Sequence, residues 1–292
     1  MTTVPRQLAI FAAVLAVLFS GGYAAGRLID ADSPHQDEPA AEHGEASASE
    51  HGETADATVA GDDAPQAVRG LASAENGLRL TVPGVKLERG RPQDVRFQIL
   101  AEDGSPVTDY DIEHTKRMHL ILVRRDMVGF QHLHPRLDEA GVWSVKARFD
   151  EPGAYRLFAD FSHEDSRYTL AGNLNVAGDP EQRPLPESEP LARSAGGYDV
   201  RIDADETPAG EHARLAFAIH RDGQAVQTEP YLGAGGHLVA LREGDLAFLH
   251  VHPDETGVAF DATFPSAGRY RLFLQFKHEG RVETAAFTHE VR

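Results

Sequence analysis

A block that occurs twice in the chain restricts the fold more than any other feature of the sequence. Residues 119–135 align with residues 237–253 without a gap, and six of the first sixteen positions are identical. Shorter matches continue upstream and downstream of the block. A repeat of this length predicts two copies of one folding unit, which we place at residues 75–178 and 194–292.

Each copy has the pattern of a β-sandwich. Short runs rich in Val, Leu, Phe and Tyr alternate with polar residues, as in Val142–Phe149, and turn dipeptides such as Asp103-Gly104 separate them. A unit of about 105 residues built this way accommodates roughly seven strands. We therefore predict an all-β fold of two tandem immunoglobulin-like β-sandwich repeats. Tyr155 and Tyr270, each just after a turn, resemble the tyrosine corner of such folds.

The N-terminal region has a different character. Leu8–Gly26 carries no charge and, as a helix rising about 1.5 Å per residue, would nearly cross a hydrocarbon core of about 30 Å. We predict that residues 1–29 form a transmembrane helix that anchors the chain, with the end at Arg6 in the cytoplasm. A cleaved secretory signal is the alternative. The expected location is the cell membrane, single-pass, with the bulk of the chain extracytoplasmic, or secreted in the alternative.

Two further segments are predicted to be linkers. Residues 30–74 contain three His, and between Asp30 and Asp63 there are eleven acidic residues and no Lys or Arg. Such a composition cannot bury enough apolar surface to offset its ordering entropy, so we predict a disordered acidic linker. Residues 179–193 contain four Pro and are predicted to be an extended connection between the repeats.

The composition excludes several classes of function. The formal net charge of −18 argues against binding to nucleic acid, which requires clustered Lys and Arg. The absence of Cys excludes disulfides, thiol catalysis, iron–sulfur clusters and thiolate copper sites. No nucleophile elbow, Walker loop or dinucleotide fingerprint is present in the sequence, so we do not expect an enzyme.

The histidines are the strongest candidates for a functional site. His132 and His134 share one face of a strand, and a turn near residues 127–128 would set His134 opposite about Ile121, close to His119. The strand that ends at His163 should run antiparallel beside the strand that begins at His119. Each repeat would then gather up to four imidazoles, which suit copper(II) or zinc. The predicted ligands are His119, His132, His134 and His163 in one repeat and His237, His250, His252 and His278 in the other.

Polar residues just before His119 could support the first of these sites. Asp111, Glu113 and His114 are candidates for hydrogen bonds to the ligands or for an extra ligand. The alternative for all the repeated histidines is structural, with each imidazole bonded to a nearby carbonyl or stacked on an aromatic ring.

Two strings in the repeats carry a resemblance to known proteins. Residues 131–135 (QHLHP) and residues 236–253 (GHLVALREGDLAFLHVHP) resemble a group of bacterial membrane-anchored envelope proteins with duplicated immunoglobulin-like β-sandwich repeats. The resemblance covers both repeats and implies fold and location, because the group has no established activity. More distantly, the layout is similar to periplasmic copper-handling β-sandwich proteins.

The sequence thus leaves two functional hypotheses open. The first is a membrane-anchored extracytoplasmic protein that binds copper(II) or zinc through a His cluster in each repeat. The second is a non-catalytic envelope protein–protein interaction module in which the histidines are structural. The expected partners are the membrane, through the N-terminal helix, and in the second hypothesis an envelope protein.

Overall fold

Some strands of the first repeat, such as Leu78–Thr81, follow the alternation of apolar and polar residues seen in the sequence. In the computed structural model, which describes residues 68–84, 86–204, 206–249, 251–254 and 257–292, this part of the chain is all-β. The predicted membrane helix and most of the acidic linker lie outside these residues. The strands of the first repeat are β1 Ala74–Glu75, β2 Leu78–Thr81, β3 Pro92–Leu100, β4 His119–Arg124, β5 Gln131–Leu133, β6 Arg136–Leu137, β7 Trp143–Arg148, β8 Gly153–His163 and β9 Ser166–Val176.

The second repeat has the same succession of strands with one addition, the short strand β13. Its first strand, β10, lies at the end of the segment predicted to be a linker. The strands are β10 Leu191–Arg193, β11 Asp199–Ala204, β12 His212–Arg221, β13 Gln224–Ala225, β14 His237–Arg242, β15 Phe248–Leu249, β16 His252–Pro253, β17 Ala259–Thr263, β18 Gly268–His278 and β19 Arg281–Val291.

Each repeat is a sandwich of two antiparallel sheets, as the immunoglobulin-like prediction requires. In the first repeat the sheet orders are β1-β2-β3-β7-β6 and β5-β4-β8-β9. In the second repeat they are β10-β11-β12-β17-β16, with β13 beside β12, and β15-β14-β18-β19. Side chains that alternate inward along the strands fill each core, such as Phe97 and Leu120 in one repeat and Phe217 and Leu272 in the other.

Both predicted tyrosine corners are confirmed. The hydroxyl of Tyr155 donates to the carbonyl of Glu151 at 3.0 Å, and the hydroxyl of Tyr270 donates to the carbonyl of Ser266 at 2.9 Å. Each bond ties the start of a long strand, β8 or β18, to the turn before it. The repeats therefore share this local device as well as their topology.

A third apolar cluster joins the repeats. It contains Ile121 and Phe158 from the first repeat and Val239 and Phe273 from the second, all at most 3% exposed. These side chains lie on the outer faces of the sheets β5-β4-β8-β9 and β15-β14-β18-β19, so the two sheets pack against each other.

Within the described residues no helix is long and apolar enough to cross a membrane.

Candidate metal centre

Strand register sets the positions of the histidines in the first repeat. On β4, Ile121 pairs with His132 of β5, whereas the sequence had suggested His134 at about this position. The difference is two residues, so every side chain keeps the predicted face, because side chains alternate with a period of two. His119, His132 and His134 consequently share the outer face of the sheet, beside the second repeat.

These three imidazoles converge as the sequence predicts. One ring nitrogen from each of His119, His132 and His134 lies within 4.8 Å of the others. The ring centroids are 5.1 Å apart for His119 and His132, 5.1 Å for His119 and His134, and 4.8 Å for His132 and His134. His119 and His132 are buried, with 3% and 9% of their surface exposed. The triad could therefore hold a metal ion in a site shielded from solvent.

Hydrogen bonds fix the protonated nitrogen of two of the rings. His119 Nε2 donates to the carbonyl of Glu113 at 3.1 Å, and His132 Nδ1 donates to Oε1 of Gln275 at 2.7 Å. Both acceptors are carbonyl oxygens, which cannot donate. The lone pairs of the neutral rings are then on His119 Nδ1 and His132 Nε2, and these two nitrogens face each other at 2.9 Å. A shared cation, either a proton or a metal ion, would relieve the repulsion between them.

His134 completes the arrangement. Its Nε2 is buried and has no hydrogen-bond partner among the described residues. Burial lowers the pKa of His134 to about 4, with His119 and Lys116 adding to the effect. Burial, followed by the charges of His119 and His134, lowers the pKa of His132 to about 3. At neutral pH these two imidazoles are neutral, which is the form that binds a metal ion.

The three polar residues predicted to support the site make different contacts. The Glu113 carbonyl accepts the hydrogen bond from His119, while its carboxylate accepts from Ser162 and Arg167. The His114 ring lies 6.1 Å from that of His119, centroid to centroid. The carboxylate of Asp111 accepts a hydrogen bond from the amide of Asp165, 3.2 Å away, and so caps a neighbouring turn.

The group of three does not include His163, which the sequence predicted beside His119. The structure pairs His119 with Asp160, and His163 lies three residues further along β8. Because that offset is odd, the His163 side chain points to the opposite face of the sheet. There its Nδ1 lies 3.0 Å from the carbonyl of Asp109, and its ring lies 6.3 Å from that of Tyr110.

The histidines of the second repeat are divided in the same way. His278 bonds the hydroxyl of Tyr198 through Nδ1 at 2.8 Å, on the inner face of its sheet. His237 lies on the outer face, with its ring centroid 4.7 Å from that of His132 and 5.6 Å from that of His119. His237 thus joins the cluster of the first repeat. His250 and the side chain of His252 lie outside the described part of the chain, which leaves a site in the second repeat as a prediction.

Two residues near the triad were not predicted from the sequence. Gln275 of the second repeat is 7% exposed and bonds His132, although the two lie 143 positions apart. Asp160 pairs with His119, and burial raises the pKa of its carboxyl. The sequence of β4, His-Leu-Ile-Leu-Val-Arg, carries a signal that another element covers the strand, and the structure buries all six of its positions. Such a run indicates a strand covered on both faces, and hence a neighbour for the outer face.

Comparisons with known proteins assign no activity to the chain. No curated protein matches the chain. Salmonella alpha-2-macroglobulin reacted with methylamine is 12% identical, with 77% of this chain and 15% of that chain covered and a TM-score of 0.28. The Escherichia coli adhesin FdeC is 14% identical, with 75% of this chain and 65% of that chain covered and a TM-score of 0.27. The chain thus spans less than two thirds of either protein, and its function has to be argued from its own residues.

A family model matches most of the folded part. It covers residues 72–178 and 193–292, which together exceed half of the chain, and its description is "Domain of unknown function (DUF8832)". The chain therefore belongs to the DUF8832 family.

Proposed function

We propose that the protein binds a divalent transition metal ion through His119, His132 and His134. The observation that carries the proposal is the buried Nε2 of His134, which has no hydrogen-bond partner among the described residues, beside the facing nitrogens of His119 and His132. The lone pairs of His119 Nδ1 and His132 Nε2 face each other, and the other nitrogen of each of these two rings is hydrogen-bonded to a carbonyl oxygen. Imidazoles whose N–H groups are hydrogen-bonded to carbonyl oxygens, as in His119 and His132, are common ligands of such ions.

Copper(II) is the ion we favour, with zinc as the second candidate. Imidazole suits both, and at equal availability copper(II) binds a given nitrogen site more tightly. The spacing of the donors supports the same choice. At metal–nitrogen bonds of about 2.0–2.1 Å, two nitrogens 2.9 Å apart subtend an angle of about 90°, which suits tetragonal copper(II) better than tetrahedral zinc.

We propose a binding role in an extracytoplasmic compartment, with the N-terminal segment as the membrane anchor. The proposal of location rests on the uncharged stretch Leu8–Gly26 and on the acidic segment that follows it. In this proposal His35, His43 and His51 of the acidic segment collect metal ions weakly near the folded site. The role is one of metal binding without catalysis.

Titration of the full-length protein with copper(II) and with zinc, in the presence of a competing chelator, tests the proposal. We expect one tight site in the wild type, and we expect His134→Asn, which takes away one of its three ligands, to weaken it. His163→Asn is the matched control, because this histidine was an equal candidate in the sequence and lies on the other face of the sheet. The proposal is overturned if the wild type holds no metal against the chelator, or if both variants bind equally well. Absence of metal binding would favour a protein-interaction module with structural histidines.

A further inference from the structure

We infer that the metal site belongs to both repeats, with Gln275 of the second repeat as the positioning residue for His132 of the first. The inference rests on the proposed function and extends it, because it makes occupancy by a divalent transition metal ion depend on the docking of the repeats. All three proposed ligands lie in the first repeat. The second repeat supplies the contact that orients one of them.

Gln275 is itself held in place. It lies on β18, directly opposite His237 of β14, and it is 7% exposed. Its Nε2 lies 3.4 Å from Oγ1 of Thr284 on β19, which orients the carboxamide so that Oε1 points across the interface. Oε1 then lies 2.7 Å from His132 Nδ1.

This hydrogen bond determines which nitrogen of His132 is available to a metal ion. An acceptor at Nδ1 holds the proton there and leaves the lone pair on Nε2, which faces Nδ1 of His119 at 2.9 Å. Without the acceptor, a buried N–H group would lose its partner, and the alternative tautomer would place a proton where the ion binds. Loss of such a contact typically weakens metal binding by about 10–100-fold.

Asp160 occupies the corresponding position of the first repeat. Asp160 pairs with His119 as Gln275 pairs with His237, and Asp160 Oδ1 accepts a hydrogen bond from Thr169 at 2.7 Å. A hydrogen bond with a threonine of the neighbouring strand, Thr169 for Asp160 and Thr284 for Gln275, is thus common to both repeats. Gln275 contacts His132 of the other repeat, and the counterpart of His132 in the second repeat, His250, lies outside the described residues.

The second repeat also covers the site. The His237 ring stacks on that of His132 at 4.7 Å, with an angle of 28° between the planes. Beside this stack, the packed sheets bury Ile121 and Val239, each at most 1% exposed. If docking of the two repeats strengthens ion binding, then ion binding strengthens docking by the same free energy, because the coupling between two equilibria is reciprocal.

Three substitutions in the full-length protein separate positioning from packing. Gln275→Leu and Gln275→Met keep the approximate volume and remove the acceptor, and we expect each to weaken copper(II) binding by about 10–100-fold. Gln275→Glu keeps an acceptor oxygen, and we expect its affinity to stay within about threefold of the wild type. Circular dichroism and thermal melting show which variants are folded. The inference is overturned if the folded Leu or Met variant binds as tightly as the wild type, or if Glu is as damaging as Leu.

Hydrogen exchange tests the coupling between the repeats. We expect copper(II) to slow amide exchange in β14 and β18 of the wild-type second repeat, and to do so less in Gln275→Leu at equal occupancy. Protection confined to the first repeat would overturn the inference while leaving the proposed function intact. If the wild type binds no copper(II) at all, the proposed function fails and the inference fails with it.

Discussion

Phe130 of the first repeat stacks on Phe273 of the second, with ring centroids 4.1 Å apart and planes 7° from parallel. A second aromatic pair across the interface, Phe158 and Phe248, has centroids 5.5 Å apart. In the alignment of the repeats Phe130 corresponds to Phe248, and Phe158 corresponds to Phe273. The two contacts are therefore counterparts, as in an interface between two copies related by a twofold axis.

Removal of one ring should destabilise the chain strongly. Phe273 is 3% exposed, so Phe273→Ala leaves a cavity between the sheets, and we expect a loss of about 3 kcal/mol in the free energy of unfolding. Urea unfolding followed by circular dichroism measures this loss. Val282→Ala, at a position 43% exposed, is the control and should change stability by less than about 0.5 kcal/mol. Equal effects of the two substitutions would mean that the interface is not packed as described.

At Gly70 the chain segment before the first repeat contacts the outer sheets of both repeats. The amide of Phe248 donates to the carbonyl of Arg69 at 2.9 Å, and the amide of Gly70 donates to the carbonyl of Thr169 at 3.1 Å. The φ angle of Gly70 is +71°, and a Cβ added there would meet Cβ of Phe248 at 2.8 Å. A larger residue therefore requires a displacement of Phe248, of Phe158 or of the backbone at Gly70.

Gly70→Ala should therefore lower the free energy of unfolding by more than the strain of a positive φ angle alone explains. Gly77 is a matched control, because its φ angle is +79° and an added Cβ would meet nothing within 4 Å. We expect Gly77→Ala to lower the free energy of unfolding by about 1 kcal/mol and Gly70→Ala by about 2–3 kcal/mol. Thermal melting of the two variants compares them. Matching losses would show that the contact with Phe248 does not constrain the chain.

The buried imidazoles predict acid sensitivity of the metal-free protein. The pKa of His132 falls from 6.5 to about 3 on burial, so the unfolded chain binds this proton more readily than the folded one. The contribution of this pKa shift to the free energy of unfolding is fully present above pH 6.5 and is lost as the pH falls towards 3. From His132 alone we expect a loss of roughly 2–3 kcal/mol between pH 7.5 and pH 4.5.

Urea unfolding with a chelator present, repeated across this pH range, measures the effect. The wild type and His132→Asn should differ in slope, with the variant losing less stability on acidification. Parallel pH profiles for the two proteins would contradict the low pKa of His132.

Much of the fold could be predicted from the sequence because it depends on local patterns. The repeat and the alternation along strands such as Trp143–Arg148 follow from residue spacing. The antiparallel pairing of β4 with β8 follows from the immunoglobulin-like arrangement that the spacing predicts. The convergence of His119, His132 and His134 follows as well, since a register error of two residues leaves each side chain on the same face.

The composition of the site could not be predicted in full, for two physical reasons. The face of His163 depends on the parity of the register between β4 and β8, which the spacing of residues alone does not fix. The contacts of His237 and Gln275 depend on which outer faces of the two sandwiches pack together. Only the burial of β4 on both sides, indicated by its apolar run, pointed to such an interface.

The measurement that tests the central claim most directly is the number of imidazoles bound to one equivalent of copper(II) in the full-length protein, read from electron paramagnetic resonance and X-ray absorption spectra. We predict at least three imidazole nitrogens in the wild type, one fewer in His134→Asn, and no change in His278→Asn. Fewer than three in the wild type, or a spectrum that His134→Asn leaves unaltered, would contradict a site built from His119, His132 and His134.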